Sequence, residues 1–139
     1  MAVVSFPTTL YPLSDAVTRR GTAGAAIAAG EVVCINSSTG KYEPADADAA
    51  GKYVAAGIAL NSAGASQPVE IALSGRLEGL SGLKPGSVFC LSNVAGDVCT
   101  VYSTDLTEDV SYVSVVAIAL SATSILLCIV SSGVVLNLV

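Results

Sequence analysis

Cys34, Cys90, Cys99 and Cys128 carry the softest and most nucleophilic side chains of a sequence that contains no histidine. A thiolate metal site or a catalytic cysteine needs partners: a second thiol a few positions away, or an imidazole to take the proton. No C-x-x-C spacing occurs, so the cysteines are read as free thiols that pack as small hydrophobes. The opening Met1-Ala2-Val3-Val4-Ser5-Phe6-Pro7 lacks the basic start and long apolar run of a signal peptide, which predicts a reducing compartment for these thiols.

The carboxylates add little. Asp46 and Asp48 alternate as at the start of a calcium loop, but Gly51 is misplaced for its turn and no bidentate glutamate follows on schedule. There is no G-x-S-x-G elbow, P-loop or dinucleotide fingerprint. The expectation is a protein that is not an enzyme, with no catalytic, cofactor-binding or metal-binding residues. A net charge of −5 and a pI near 4.3 argue against nucleic acid, whose phosphates are met by Lys and Arg. Arg19-Arg20 is the one basic cluster, and it reads as a surface or interface anchor.

Composition points to assembly. Only 12% of the 139 residues are charged and 53% are hydrophobic, against roughly a quarter charged in ordinary soluble domains. So few charges fit a subunit that hides part of its surface against partners.

What positions these residues is an internal repeat. Ile27–Asn36 is echoed by Leu83–Ser92, and Gly30, Val32, Cys34 and Gly40 recur 56 positions later as Gly86, Val88, Cys90 and Gly96. Gly57-Ile58-Ala59-Leu60 returns as Ala117-Ile118-Ala119-Leu120, offset 60; Ile71–Gly75 is matched to Ile129–Gly133, offset 58. Each copy is too short to bury its own apolar face, so two related β-units over 27–75 and 83–133 are expected to share one core. Strands are predicted over Glu31–Asn36, Lys41–Glu43, Tyr53–Leu60, Pro68–Leu73, Ser87–Leu91, Val98–Tyr102, Ser111–Leu120, Ile125–Val130 and Val134–Val139, with a polar loop over Ser103–Asp109. No stretch has the length and period of a substantial helix. The predicted fold is all-β: a small barrel or sandwich over 22–139 with an extended N-terminal arm over 1–21.

Both faces of the repeated strands are apolar: Val33, Ile35, Phe89 and Leu91 on one, Val32, Cys34, Val88 and Cys90 on the other. Without helices, the second face must be covered by another sheet layer, the arm or a neighbouring subunit. Pro7 and Pro12 keep the arm extended, and Val3, Val4, Phe6, Leu10, Tyr11 and Leu13 would be costly to leave in water. Together with Arg19 and Arg20 these are the predicted partner contacts, with residues 1 to about 16 dispensable for the body. From Val110 to Val139 no residue is charged, long enough to cross a bilayer. Its serine-rich interruptions and β-branched residues predict buried strands and no membrane.

With those residues in view, the chain resembles the capsid cement, or head-decoration, proteins of tailed bacteriophages. The similar stretches are Arg20–Val33, Ala45–Ala50, Ala55–Ser62, Gln67–Val69, Gly86–Ser92, Asp105–Leu106, Ser121–Thr123 and Ser132–Val134, together spanning roughly residues 17 to 135. The resemblance implies a β-rich structural protein, commonly a homotrimer, that sits on the outer surface of the virion head and stabilises it by bridging major capsid protein subunits, after assembly in the host cytoplasm. The arm before Val17 matches no motif of that family, so its contact role rests on its own apolarity. Two alternatives are a virion-surface adhesion module, which would call for aromatic platforms where only 5% of residues are aromatic, and a small membrane-anchored protein.

Overall fold

The computed structural model describes residues 3–47, 51–92, 94–100 and 110–137. Its strands are β1 (Val3–Val4), β2 (Tyr11–Pro12), β3 (Val17–Thr22), β4 (Val32–Ile35), β5 (Tyr42–Pro44), β6 (Gly57–Ala59), β7 (Pro68–Glu78), β8 (Val88–Leu91), β9 (Val98–Cys99), β10 (Val110–Ala119) and β11 (Ser124–Asn137). No helix occurs among the described residues, and the fold is all-β, a curled antiparallel sheet of the small barrel or sandwich kind. The loop over 103–109, Asp48 of the acidic pair and residues 101–102 of the strand predicted there lie outside the described residues.

β7 holds the sheet together because it belongs to two halves. Its first part pairs with β3 on one side and β6 on the other, while Gly75–Glu78 pairs with β11 and Leu77–Glu78 with β2. The strand runs five residues past the predicted end at Leu73 because these partners extend it. The bend falls at Gly75, whose φ of +97° suits glycine alone. A Cβ there would lie 2.5 Å from Cα of Ala16.

The first half runs β5-β4-β6-β7-β3, and a parallel bridge from Ala23 to Tyr42 joins its ends. Inside it are Ala23, Ile27, Val33, Tyr42, Ala59, Val69 and Ile71. The second half runs β1-β9-β8-β10-β11-β7, with β2 on the far side of β7. The larger core lies between the halves: Val32, Cys34, Ile58 and Ala72 of the first meet Phe89, Leu91, Ala117, Ile125 and Leu127 of the second. The apolar second face of β4 is thus covered from within the chain, by the other sheet layer and the arm.

The two units share their hydrogen bonding. Gly30 N–H donates to Ala59 C=O at 2.8 Å, and Gly86 N–H to Ala119 C=O at 2.8 Å. Val32 lies opposite Ile58 and Cys34 opposite Glu43; Val88 lies opposite Ile118 and Cys90 opposite Cys99. The final strand departs from the sequence alignment. Ala59 faces Ile71 and Ala119 faces Ile125, so Ile125 is the counterpart of Ile71, four positions before the Ile129 matched by sequence. The short Ser121–Thr123 turn removes those positions, and an even shift leaves every side chain on its face. The run Ser131-Ser132-Gly133 does not end the final strand either: β11 continues through it, with a register shift against β10 between Ser131 and Val135. The strand predicted over Tyr53–Leu60 shrinks to Gly57–Ala59; before it Ala56 N–H donates to Val33 C=O, and Tyr53 C=O accepts from a side chain, the Ser114 hydroxyl.

The arm is corrected from a separate element to part of the body. β1 pairs with β9 and β2 with β7, so residues 3–12 strap two edges of the second half together. Between the anchors, Phe6 and Leu10 are buried in the larger core, and the ring of Phe6 meets Phe89 edge-on at 5.3 Å. These two residues are therefore not partner contacts: the curled sheet needs a lid, and the arm supplies it. Arg76 Nε donates to Asp15 Oδ2 at 2.8 Å beside this strap, and that hydrogen bond holds the Asp15 carboxyl below its ordinary value. Its stabilising effect is present above the usual carboxylate range and is lost as pH falls through the lowered value.

Replacing Phe6 by Ala should destabilise the protein by about 3 kcal/mol, the usual cost of emptying a phenylalanine site. Urea unfolding of Phe6→Ala checks this; a midpoint unchanged from the parent would show that the strap does not close the core.

Candidate interaction surface

Among the described residues the second half leaves part of one apolar face bare, although Cys90, two positions along β8 from Val88, is buried. Val88 lies directly opposite Ile118, Ile118 opposite Leu126, and Leu126 opposite Arg76. Residues opposed across antiparallel strands share a face. Their chain neighbours Phe89, Ala117, Ile125 and Leu127 are buried inward, so this row points out. Val88 is 41% exposed, and Ile118 and Leu126 are half-buried. Cys128 and Val130 continue the same face of β11 by alternation, and Leu120 lies beyond the end of β10. Val130 is exposed, as is Leu120.

Polar pairs border the row. Arg76 is ion-paired with Asp15, and Thr123 Oγ1 donates to Glu78 Oε1 at 2.7 Å. An apolar centre within a polar, satisfied margin is the anatomy of a protein interface.

The repeat makes this face informative. The counterparts of Val88, Ile118 and Leu126 by register are Val32, Ile58 and Ala72, each 0% exposed in the core between the halves. A face that is core in one copy of the unit is open to solvent in the other. Burying apolar surface contributes roughly 25 cal/mol per Å², so such a row favours association when a partner covers it.

The residues predicted from sequence as contacts fall in different places. Tyr11 is 50% exposed on β2, Leu13 is half-buried with its N–H bonded to Arg76 C=O, and Arg19 and Arg20 are exposed on β3. Val3 and Val4 pair with β9, and their side chains lie outside the described residues. Phe6 and Leu10 are in the core, as above. Val88, Ile118 and Leu126 were not singled out by sequence, although the two-faced apolar pattern of β8 carried the signal.

Little else gathers chemistry. Surface hollows of about 190, 210 and 420 Å³ bring together Lys52 and Glu43 in the first, Phe6 and Leu80 in the second, and Leu83 and Phe89 with small polar residues in the third. Among the described residues no group of three His, Cys, Asp or Glu could hold a metal ion. None of the four cysteines is in a disulfide; Cys34, Cys90 and Cys99 are buried and Cys128 is half-buried. Burial pushes the thiols of Cys34, Cys90 and Cys128 up, so they stay protonated at neutral pH. The uncharged C-terminal run forms β10 and β11, and no helix among the described residues is long and apolar enough to cross a membrane.

No family model matches the chain, and no curated protein does.

Two measurements follow from the surface. Ile118→Lys and Leu126→Glu place charge on the bare row without touching the core; each should keep the unfolding midpoint near the parent's and reduce self-association in sedimentation. Unchanged association in both would remove the row from any interface between copies. Alkylation of native protein should modify Cys128 first and speed up as pH rises, and all four thiols should react only after unfolding. Rapid native labelling of Cys34, Cys90 or Cys99 would contradict their burial.

Proposed function

We propose that this chain is a non-enzymatic structural protein of a bacteriophage virion, which binds the outside of the assembled head and stabilises it by bridging major capsid protein subunits. The observation that carries the reading is the open row Val88–Ile118–Leu126, whose counterpart Val32–Ile58–Ala72 is fully buried. It supports a protein whose work is to be packed against. A 12% charged fraction supports the same reading, and the resemblance to head-decoration proteins supplies the partner.

In this reading the protein is a homotrimer. The bare row of the second half is covered by another copy, as the first half's equivalent row is covered within the chain. The residues Tyr11, Leu13, Arg19 and Arg20 face the capsid. Neither nucleic acid nor membrane is a partner, and the protein reaches the virion surface after assembly in the host cytoplasm.

The test is to mix purified protein with undecorated heads of the same virus and locate the added density. Saturable density on the outer surface, touching more than one capsid subunit, is the expected outcome. Absence of binding to intact heads at micromolar protein would overturn the reading, and binding instead to host-cell carbohydrate would replace it with the adhesion module.

A further inference from the structure

β3 is hydrogen-bonded to β7 along Val17–Thr22, and no other strand pairs with it among the described residues. Every residue from Val17 to Arg20 is exposed. Such an edge presents alternate N–H and C=O groups to solvent, ready to pair with another extended chain.

The edge is also charged in an unusual way for this molecule. The chain has six Lys and Arg residues in all, and its net charge is −5. Among the described residues Lys52 is paired with Glu43 and Arg76 with Asp15, whereas Lys41, Lys84 and the adjacent Arg19 and Arg20 have no ion pair; only the two arginines lie side by side on an exposed strand. Consecutive strand residues project to opposite faces, so the two guanidiniums flank the edge from both sides. Arginine donates a planar fork suited to carboxylates.

We propose that the open edge of β3 docks an extended acidic strand from a partner protein, with main-chain pairing along Val17–Arg20 and carboxylates bound by Arg19 and Arg20; beyond Gly21 the ring of Tyr42 and the Ala23–Tyr42 bridge close the edge. A second copy of β3 fits poorly. Laid antiparallel about an axis between the arginines, it would set Arg against Arg, and like charges directly opposed are destabilising. An acidic strand meets both requirements of the edge, backbone pairing and neutralisation. The proposal rests on the capsid reading only for which protein supplies the strand.

The experiment titrates the full chain with a blocked ten-residue peptide alternating glutamate with valine and threonine. Its lysine-for-glutamate counterpart and an acidic version N-methylated at alternate amides serve as controls. Backbone amide shifts and hydrogen exchange over Val17–Arg20 report the site. The acidic peptide is expected to protect these amides, and both controls to bind at least about tenfold more weakly, since each lacks one of the two contributions. Arg19→Glu/Arg20→Glu should reverse the preference toward the lysine peptide; should that variant unfold, Arg19→Gln/Arg20→Gln should abolish the preference. Equal binding of the N-methylated peptide, perturbation elsewhere than β3, or an unchanged preference in the variants would overturn the proposal. Self-association that protects the β3 edge in the free protein would do the same. Peptide docking without binding to heads would sink the capsid reading alone, and head binding without peptide docking would sink the docking edge alone.

Discussion

A sheet without helices must cover two faces of every strand with other strands, and in this chain β7 makes that possible. One strand pairs with β3 and β6 over its first part and with β2 and β11 over its last. Gly75 lets it turn between the two sets without a side chain striking Asp15 and Ala16. Both curled halves therefore have a common wall. The core between them exists because the wall bends at that point.

The same unit is used twice in different surroundings. In the first unit the inward face lines a small barrel and the outward face is pressed against its sister. The second unit turns its inward face onto that shared core, and the arm closes it with Phe6 and Leu10. Among the described residues its outward face stays open along Val88, Ile118 and Leu126. The asymmetry follows from simple counting: two units in one chain can make a single face-to-face contact, so one face of one unit remains open.

Much of this was legible in the residues. The alternation of Val69, Ile71 and Leu73 and the doubled glycine and cysteine positions gave the strands and the repeat, because period-2 patterns and positive-φ glycines are local signals. The arm was misread for a physical reason. Pro7 and Pro12 report an extended backbone, but an extended segment pairs as readily with its own sheet as with a neighbour's. Only the distance from Val3 to Cys99 across the fold decides between them. The matched offset of the last strand failed likewise, since alanine, valine and isoleucine substitute for one another cheaply and the serine-threonine turn at Ser121–Thr123 marks its place but not how many positions it removes. As for the candidate surface, the sequence showed that β8 was apolar on both faces; which copy stayed bare depends on how the units stack.

The strap has a consequence for the time course of folding. Val3 pairs with Cys99 and Tyr11 with Glu78, so the first described residues to leave the ribosome wait for partners made long afterwards. Contacts of such separation form late and slow the search, because the entropy of closing the loop is spent before any bond rewards it. During synthesis Phe6 and Leu10 travel uncovered. The nascent chain is then a better client for a chaperone, and a better target for a protease, than its finished form. Ring closure at the arm is the step that ends that exposure.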